Sequence, residues 1–89
     1  MTWKIKLSSR AEKYYNKLDM DIKGRVKKEL MHLNDFHSPI EHQQVRRLTG
    51  ELNGFYRLKV GSYRIIFAVL KENNTIAVVN IAPRGDVYK

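Results

Sequence analysis

Cysteine is absent from the 89-residue sequence. Its absence excludes disulfide bonds, thiolate metal sites and catalysis by a cysteine nucleophile. Long apolar runs are also missing, because the longest uninterrupted one extends only from Ile65 to Leu70, whereas a membrane span needs roughly 20 residues. Residues 1–7 show no signal-peptide pattern, since they lack its apolar stretch. We therefore expect a soluble protein that resides in the cytoplasm.

Acidic residues are scarce relative to basic ones, with 9 Asp and Glu against 17 Lys and Arg and a formal net charge of +8. So large a charge on so short a chain predicts a polyanionic partner, which could be a nucleic acid, an acidic protein or an anionic membrane surface. No segment has the Trp, Phe and Leu face of a helix that lies on a membrane, so we expect no membrane partner.

The chain length predicts one domain over residues 1–89, and the first half of that domain combines a strand with helices. Residues 3–7 alternate apolar and basic side chains, which is typical of a half-buried strand. Ser9 precedes Glu12 by three residues, the spacing of a capping box at the start of a helix. Two apolar stripes at helical spacing then predict a helical hairpin. The stripes consist of Ala11, Tyr14, Tyr15 and Leu18, followed by Ile22, Val26, Leu30 and Leu33.

The second half of the chain changes to an alternating pattern, after a loop at residues 34–44 and a short extended segment at 45–48. Residues 55–60, 63–71 and 75–82 predict three strands. Gly61-Ser62 fits a two-residue turn of type II′, in which glycine comes first, and Asn73-Asn74 marks a second turn. The order of strand, helical hairpin and three-stranded antiparallel meander predicts an α+β domain. Helices would cover one face of its sheet, and the other face would be open to solvent.

The turn at Gly61-Ser62 also predicts which side chains of the hairpin share a face. Arg57, Lys59 and Arg64 lie together on the face opposite the apolar one, and Lys59 is directly opposite Arg64. Like charges in that arrangement destabilise a hairpin, and exceptions of this kind are expected at functional sites. A solvated edge with scattered cations is the alternative interpretation.

Two segments of the chain combine into a specific motif. They are Phe-Tyr-Arg-Leu-Lys-Val-Gly-Ser-Tyr-Arg-Ile-Ile-Phe over residues 55–67 and Ala-Pro-Arg-Gly-Asp-Val-Tyr over residues 82–88. Together they resemble the RelE/ParE toxin superfamily, and the likeness extends over nearly the whole chain. The resemblance implies a RelE-like sheet with helices on one face. It further implies the toxin of a type II toxin–antitoxin system, a ribosome-dependent endoribonuclease that cuts mRNA in the A site.

The resemblance also implies the residues of the active site. The RelE set corresponds to Arg57, Lys59, Arg64, Arg84 and Tyr88. In the implied reaction the 2′-hydroxyl of the RNA attacks the adjacent phosphodiester, without a metal or other cofactor. Lys59 would act as base, Arg57 and Arg64 would hold the phosphate, Arg84 would assist the leaving group and Tyr88 would orient the nucleotide. Arg57 stands where the family usually has Lys, and because Arg is effectively always protonated it is excluded as a base.

Two kinds of partner follow from the resemblance and the charge. One is mRNA on the ribosome, together with ribosomal RNA, and the other is a cognate antitoxin, which we expect to be acidic because the toxin is basic. The basic face of the second helix, including Lys27 and Lys28, is either solvated or in contact with ribosomal RNA. We therefore predict Arg57, Lys59, Lys27 and Lys28 as RNA-binding residues.

Two other functions fit the same sequence. A ParE-like toxin that inhibits DNA gyrase would share the fold, and a non-catalytic nucleic-acid-binding module would share the charge. A metal site is the least favoured possibility, although His32, His37 and His42 recur every five residues. Five residues is not the spacing of one helical face, Pro39 interrupts any helix, and no cysteine or carboxylate completes a ligand set. We therefore expect ordinary surface or loop histidines and no metal.

Overall fold

The fold consists of two helices and five strands, seen in a computed structural model that describes residues 3–35 and 38–83. The helices are α1 (Ser9–Asn16) and α2 (Met20–His32). The strands are β1 (Lys4–Leu7), β2 (Val45–Arg47), β3 (Tyr56–Val60), β4 (Tyr63–Leu70) and β5 (Thr75–Pro83). The predicted α+β order, with a strand, a helical hairpin and an antiparallel meander, is confirmed. The extended segment expected at residues 45–48 is β2, an edge strand of the same sheet.

The five strands form one sheet in the order β1-β5-β4-β3-β2. The pairs β2–β3, β3–β4 and β4–β5 are antiparallel, whereas β1 runs parallel to β5, with Lys4 opposite Thr75 and Leu7 opposite Val78. A parallel neighbour requires a crossover connection, and the chain between β1 and β5 contains both helices. The alternating pattern of residues 3–7 predicted the strand but not its partner.

Helix α1 begins one residue earlier than the sequence predicted. Ser8 is the N-cap residue, and its side-chain oxygen accepts a hydrogen bond of 3.1 Å from the backbone N–H of Ala11. The expected capping box with Ser9 as its first residue is therefore wrong. The reason is that Ser8 also ends the parallel pairing: its backbone N–H donates to the carbonyl of Val78, and its hydroxyl donates to the carbonyl of Val79.

The main core lies between the helices and one face of the sheet. Ala11 and Val26 from the helices and Leu58, Ile65 and Phe67 from the sheet are fully buried within it. Since successive side chains of a strand point to opposite faces, these residues define the covered face of β3 and β4. Across residues 3–35 and 38–83, no helix combines the length and the apolar character needed to cross a membrane.

A smaller apolar cluster lies on the opposite, open face. Its buried members are Leu48, Ile66 and Ala82, and the partly buried Leu52, Phe55 and Val79 pack against them. The short 3-10 turn Gly50–Leu52 and the bend at Gly54 bring Leu52 and Phe55 over the sheet. The open face is therefore partly covered near the ends of β3 and β5, which the sequence pattern did not predict.

Candidate active site

The hairpin of β3 and β4 places three cations on the open face. Lys59 is paired with Arg64, Val60 with Tyr63 and Arg57 with Ile66, as the turn chemistry predicted. Gly61 has a φ of +59°, while Ser62 has no positive φ, and this combination is the one that a type II′ turn requires. We call Arg57, Lys59 and Arg64, together with Arg46 described next, the open-face cations.

Arg46 of β2 is a fourth member that the sequence analysis missed. It is paired directly with Arg57, so two like-charged pairs, Arg46–Arg57 and Lys59–Arg64, lie side by side on the same face. The Arg46 Nη1 donates to the backbone oxygens of Gln43 at 2.7 Å and Val45 at 3.0 Å. The segment Val-Arg-Arg-Leu does not alternate strictly, so its pattern does not predict which arginine faces the other cations.

The open-face cations have no acidic partners within the described parts of the chain. Arg57, Lys59 and Arg64 make no ion pair and no side-chain hydrogen bond with any described residue. The Nε of Arg64 is buried and finds no hydrogen-bond partner there. A buried donor without a partner is costly, and an anion at this position would supply both the charge and the acceptor that Arg64 lacks.

The apolar cluster of the open face lies directly beside these cations. Ile66 is paired with Arg57 and Ala82 with Arg64, and both apolar residues belong to the cluster. Arg57 and Arg64 are accordingly half-buried, whereas Lys59 is exposed. Apolar contact along the stems of long cationic side chains restricts their motion while the charged heads remain accessible. It also lowers the local dielectric, which strengthens attraction to a bound phosphate.

A cleft connects the hairpin to α2. It has a volume of about 520 Å³, and it joins Lys28 to Lys59, two of the predicted RNA-binding residues. Its lining consists of Arg25, Lys28, Glu29, Gln44, Lys59, Val60 and Gly61. Lys27 is exposed on α2 but does not line this cleft. Three cations from two elements, with the carboxylate of Glu29 among them, therefore line a space large enough for a phosphate group.

Arg25 is a further cation of this cleft. Its guanidinium lies against the hairpin turn, with two of its nitrogens 3.2 Å from the place where a Cβ on Gly61 would be. Arg25 lies on α2 with Lys28, and no local sequence pattern predicted its contact with the hairpin.

Two of the predicted site residues, Arg84 and Tyr88, lie outside the described residues. The last described residue, Pro83, is paired with Tyr63, and the preceding Ala82 is paired with Arg64. The end of β5 therefore lies beside the open-face cations.

His42 differs from the expectation of ordinary surface or loop histidines, whereas His32 is exposed on α2 as expected. His42 is only 6% exposed, and its Nε2 lies 3.2 Å from the Oε1 of Glu29. His32 is close to both residues, whereas His37 lies outside the described residues. The expectation that no carboxylate accompanies these histidines is wrong, because Glu29 lies 13 residues before His42 in the chain and only the fold brings them together.

Comparison with solved structures identifies the fold. A chain of the RelBE2 toxin–antitoxin complex from Mycobacterium tuberculosis superposes with a TM-score of 0.80 at 21% identity, covering 97% of this chain and 95% of that chain. A chain of the archaeal RelE–RelB complex from Pyrococcus horikoshii gives 0.77 at 25% identity, with 97% and 99% covered. A mutant of the E. coli toxin RelE in the free state gives 0.78 at 25% identity, with 99% and 92% covered.

Sequence comparison gives the family. No curated protein matches the sequence. The model of the ParE toxin family, described as the ParE toxin of the type II toxin–antitoxin system parDE, matches residues 5–88. This match spans nearly the whole chain, and it agrees with the RelE-like fold and with the motifs at residues 55–67 and 82–88. The chain therefore belongs to the ParE toxin family of type II toxin–antitoxin systems, within the RelE/ParE toxin superfamily.

Proposed function

We propose that this toxin is a ribosome-dependent endoribonuclease that cleaves mRNA in the A site. The observation that carries the proposal is the set of open-face cations, which have no acidic partner among the described residues. A cluster of positive charges that no described carboxylate neutralises is suited to an RNA phosphate. The similarity to RelE chains at 25% identity supports the same activity class.

The proposed chemistry uses the RNA's own nucleophile. The 2′-hydroxyl gives its proton to the amine of Lys59 and attacks the adjacent phosphorus, the bond from phosphorus to the 5′-oxygen breaks, and that oxygen takes a proton from water. The products are a 2′,3′-cyclic phosphate, or the 3′-phosphate formed when it opens, and a 5′-hydroxyl. Negative charge develops on the phosphorane oxygens in the transition state, where fixed cations stabilise it more than they stabilise the ground state.

Each predicted residue has a role in this scheme. Lys59 is the base, and Arg57 and Arg64 hold the scissile phosphate. Arg84 assists the leaving group and Tyr88 orients the nucleotide. No histidine belongs to this set, so general acid–base catalysis is weak, and the scheme depends on the ribosome to position the 2′-hydroxyl in line with the phosphorus.

The cleft between α2 and the hairpin extends the proposed RNA contact. Lys28 and Lys59 line it together with Arg25, so RNA bound over the open face would meet further positive charge at the edge of the sheet. Lys27 and Lys28 would then contact ribosomal RNA through phosphates, which positions the toxin without reading sequence.

A cognate antitoxin is the second proposed partner. Two of the structures that this chain resembles are toxin–antitoxin complexes. A toxin with a net charge of +8 suits an acidic antitoxin segment that covers the open-face cations and so blocks access to RNA. Because ribosomes are cytoplasmic, we place the toxin's action in the cytoplasm.

Mapping of mRNA ends on programmed ribosomes tests the proposal. Ribosomes with a defined codon in the A site are mixed with the toxin, and new 5′ ends are located by primer extension. We expect a cut within the A-site codon, loss of this cut with Arg64→Ala, and full cutting with the control Lys71→Ala, which alters an exposed lysine past the far end of β4. The absence of any A-site cut, or equal cutting by Arg64→Ala, would refute the proposal.

Inhibition of DNA gyrase is the second candidate function, and the match to the ParE family model favours it. A supercoiling assay with purified gyrase distinguishes the two. We expect no inhibition at toxin concentrations that cut mRNA on ribosomes, and inhibition without mRNA cutting would assign the chain to the ParE-like class. A gradual loss of RNA affinity over single Lys and Arg variants, with no cleavage by the parent, would indicate a non-catalytic binding module.

A further inference from the structure

Three side chains with metal-ligating atoms meet where α2 contacts the turn before β2. Glu29 and His32 lie one helical turn apart on α2, and His42 comes from the segment between the short turn Pro39–Glu41 and β2. One ligand atom of each residue lies within 4.8 Å of the others. We propose that Glu29, His32 and His42 bind a divalent transition-metal cation of the zinc type, at a site that adjoins the cleft of Lys28 and Lys59, because Glu29 also lines that cleft.

The spacing of the ligand atoms is close to what zinc requires. The Oε1 of Glu29 lies 3.2 Å from the Nε2 of His42 and 3.8 Å from the Nδ1 of His32. Ligand atoms at 2.0–2.1 Å from a tetrahedral zinc are about 3.4 Å apart. The Glu29–His42 pair therefore already has a suitable distance. His32, whose side chain is 48% exposed, must turn toward the other two residues, because the three ligand atoms are held only within 4.8 Å of one another and not all at about 3.4 Å.

A second carboxylate supports His32 in the orientation that a metal needs. The Nε2 of His32 lies 3.7 Å from the Oδ2 of Asp35, while its Nδ1 faces Glu29. In metal sites the ring nitrogen that does not bind the metal usually donates to a carboxylate or carbonyl, which fixes the tautomer and raises the basicity of the ligand. Asp35 is placed to accept that proton after a small side-chain adjustment.

His42 must change its proton position when the metal binds. The backbone N–H of Gln44 donates to the Nδ1 of His42 at 3.0 Å, so the proton is on Nε2 and points toward Glu29. A metal at Nε2 transfers this proton to Nδ1, and the Gln44 amide must then turn toward water. Gln44 is exposed and lies in a turn, so its amide can turn to water, and the loss is one part-buried hydrogen bond, which is small beside the free energy of zinc binding.

The site is accessible from solvent through a shallow depression of about 380 Å³, and Glu29, His32 and Asp35 are among its lining residues. Lys28 also lines it, but the carboxylates of Glu29 and Asp35 outnumber that cation. Three protein ligands leave at least one coordination position for water. A bound metal would link α2 to the segment that leads into β2, and so would stabilise the fold around the edge strand that carries Arg46.

Isothermal titration calorimetry with zinc chloride tests the site on the full-length chain after treatment with a chelator. We expect one zinc ion per chain and at least tenfold weaker binding by His32→Gln and by Glu29→Gln. Glu72→Gln, which changes an exposed carboxylate near β5, should bind as the parent does. The proposal is overturned if the parent binds no zinc, if the two ligand variants bind as tightly as the parent, or if Glu72→Gln loses binding equally.

Thermal unfolding provides a readout that does not depend on activity. Zinc should raise the midpoint of the parent and of Glu72→Gln but not that of His32→Gln. His32→Gln is the chosen variant because His32 is exposed, so its replacement should leave the fold intact, whereas His42 is buried. An equal rise for His32→Gln and the parent would contradict the site, and the result is independent of whether the toxin cleaves mRNA.

Discussion

The two faces of the sheet are opposites in composition and in their contribution to stability. On the covered face Leu58, Ile65 and Phe67 are fully buried against the helices. On the open face the same two strands carry Arg57, Lys59 and Arg64. Arg57 lies directly opposite Arg46 of β2, and Lys59 lies directly opposite Arg64. Burial of apolar area stabilises the fold, whereas opposed cations in adjacent strands destabilise it.

This difference indicates that stability and the proposed function are divided between the faces. The covered face holds the hairpin in place with enough free energy to tolerate the unfavourable open face. The small cluster around Ile66 and Ala82 contributes on the open side, and its two members are the cross-strand neighbours of Arg57 and Arg64. Substitutions on the covered face should therefore affect folding, and substitutions of the open-face cations should affect activity with little loss of stability.

Phe67→Ala should have the largest effect. Phe67 is fully buried, and its ring stacks on Tyr56 at a centroid distance of 5.9 Å. Removing a buried aromatic side chain costs about 3–5 kcal/mol, a large part of the stability of a small domain. Urea denaturation followed by circular dichroism measures this loss. Val69→Ala, at a half-buried position of the same strand, should cost clearly less, and equal losses would contradict the division between core and periphery.

Arg64→Ala should reduce the single-turnover rate of mRNA cleavage at least 100-fold, which corresponds to about 2.7 kcal/mol of transition-state stabilisation. The same variant should unfold within about 1 kcal/mol of the parent, because it removes a buried nitrogen that lacks a partner among the described residues. Rates are measured on programmed ribosomes and stability by urea titration. A large loss of stability with a proportionate loss of activity would show that Arg64 has a structural role instead.

Gly61→Ala should destabilise the hairpin on which both faces depend. Gly61 has a φ of +59°, and a left-handed conformation costs a residue with a Cβ about 1–2 kcal/mol. The added methyl would also lie 3.2 Å from the Arg25 guanidinium, which must then move. Ser62→Ala is the matched control, since Ser62 has no positive φ. Equal stability of the two variants in urea would argue against this turn geometry.

Lys59→Gln should have the smallest effect on the free energy of unfolding, and it should raise this free energy instead of lowering it. It removes one member of the directly opposed pair Lys59–Arg64, and relief of such repulsion is worth roughly 0.2–1 kcal/mol. Stability should therefore rise slightly at low salt, and the gain should shrink at high salt because exposed charges are screened. Urea titrations at two salt concentrations measure it, and a clear loss of stability would show that Lys59 makes a stabilising contact.

Local patterns in the sequence predicted the features that depend on nearby residues. The pairing of β3 with β4, residue by residue, followed from Gly61 at the first turn position, because turn type and loop length fix the register of a hairpin. The helical hairpin followed from two apolar stripes at helical spacing. Arg57, Lys59 and Arg64 were placed on one face by the same register.

Features that depend on distant residues were not predictable in this way. The parallel pairing of β1 with β5 joins segments about 70 residues apart in the chain, and no local pattern encodes it. The choice of Ser8 over Ser9 as N-cap follows from that pairing. Arg46 and the Glu29–His42 contact also arise only when β2 and its preceding turn meet β3 and α2.

The central claim is that the open-face cations act together on one phosphodiester, and a double-mutant cycle tests it most directly. Single-turnover cleavage rates on programmed ribosomes are compared for the parent, Arg57→Ala, Arg64→Ala and the double variant. Groups that stabilise the same transition state are strongly non-additive, so the double variant should be only slightly slower than the slower single variant. Rates that multiply independently, or that do not change in any variant, would contradict the account.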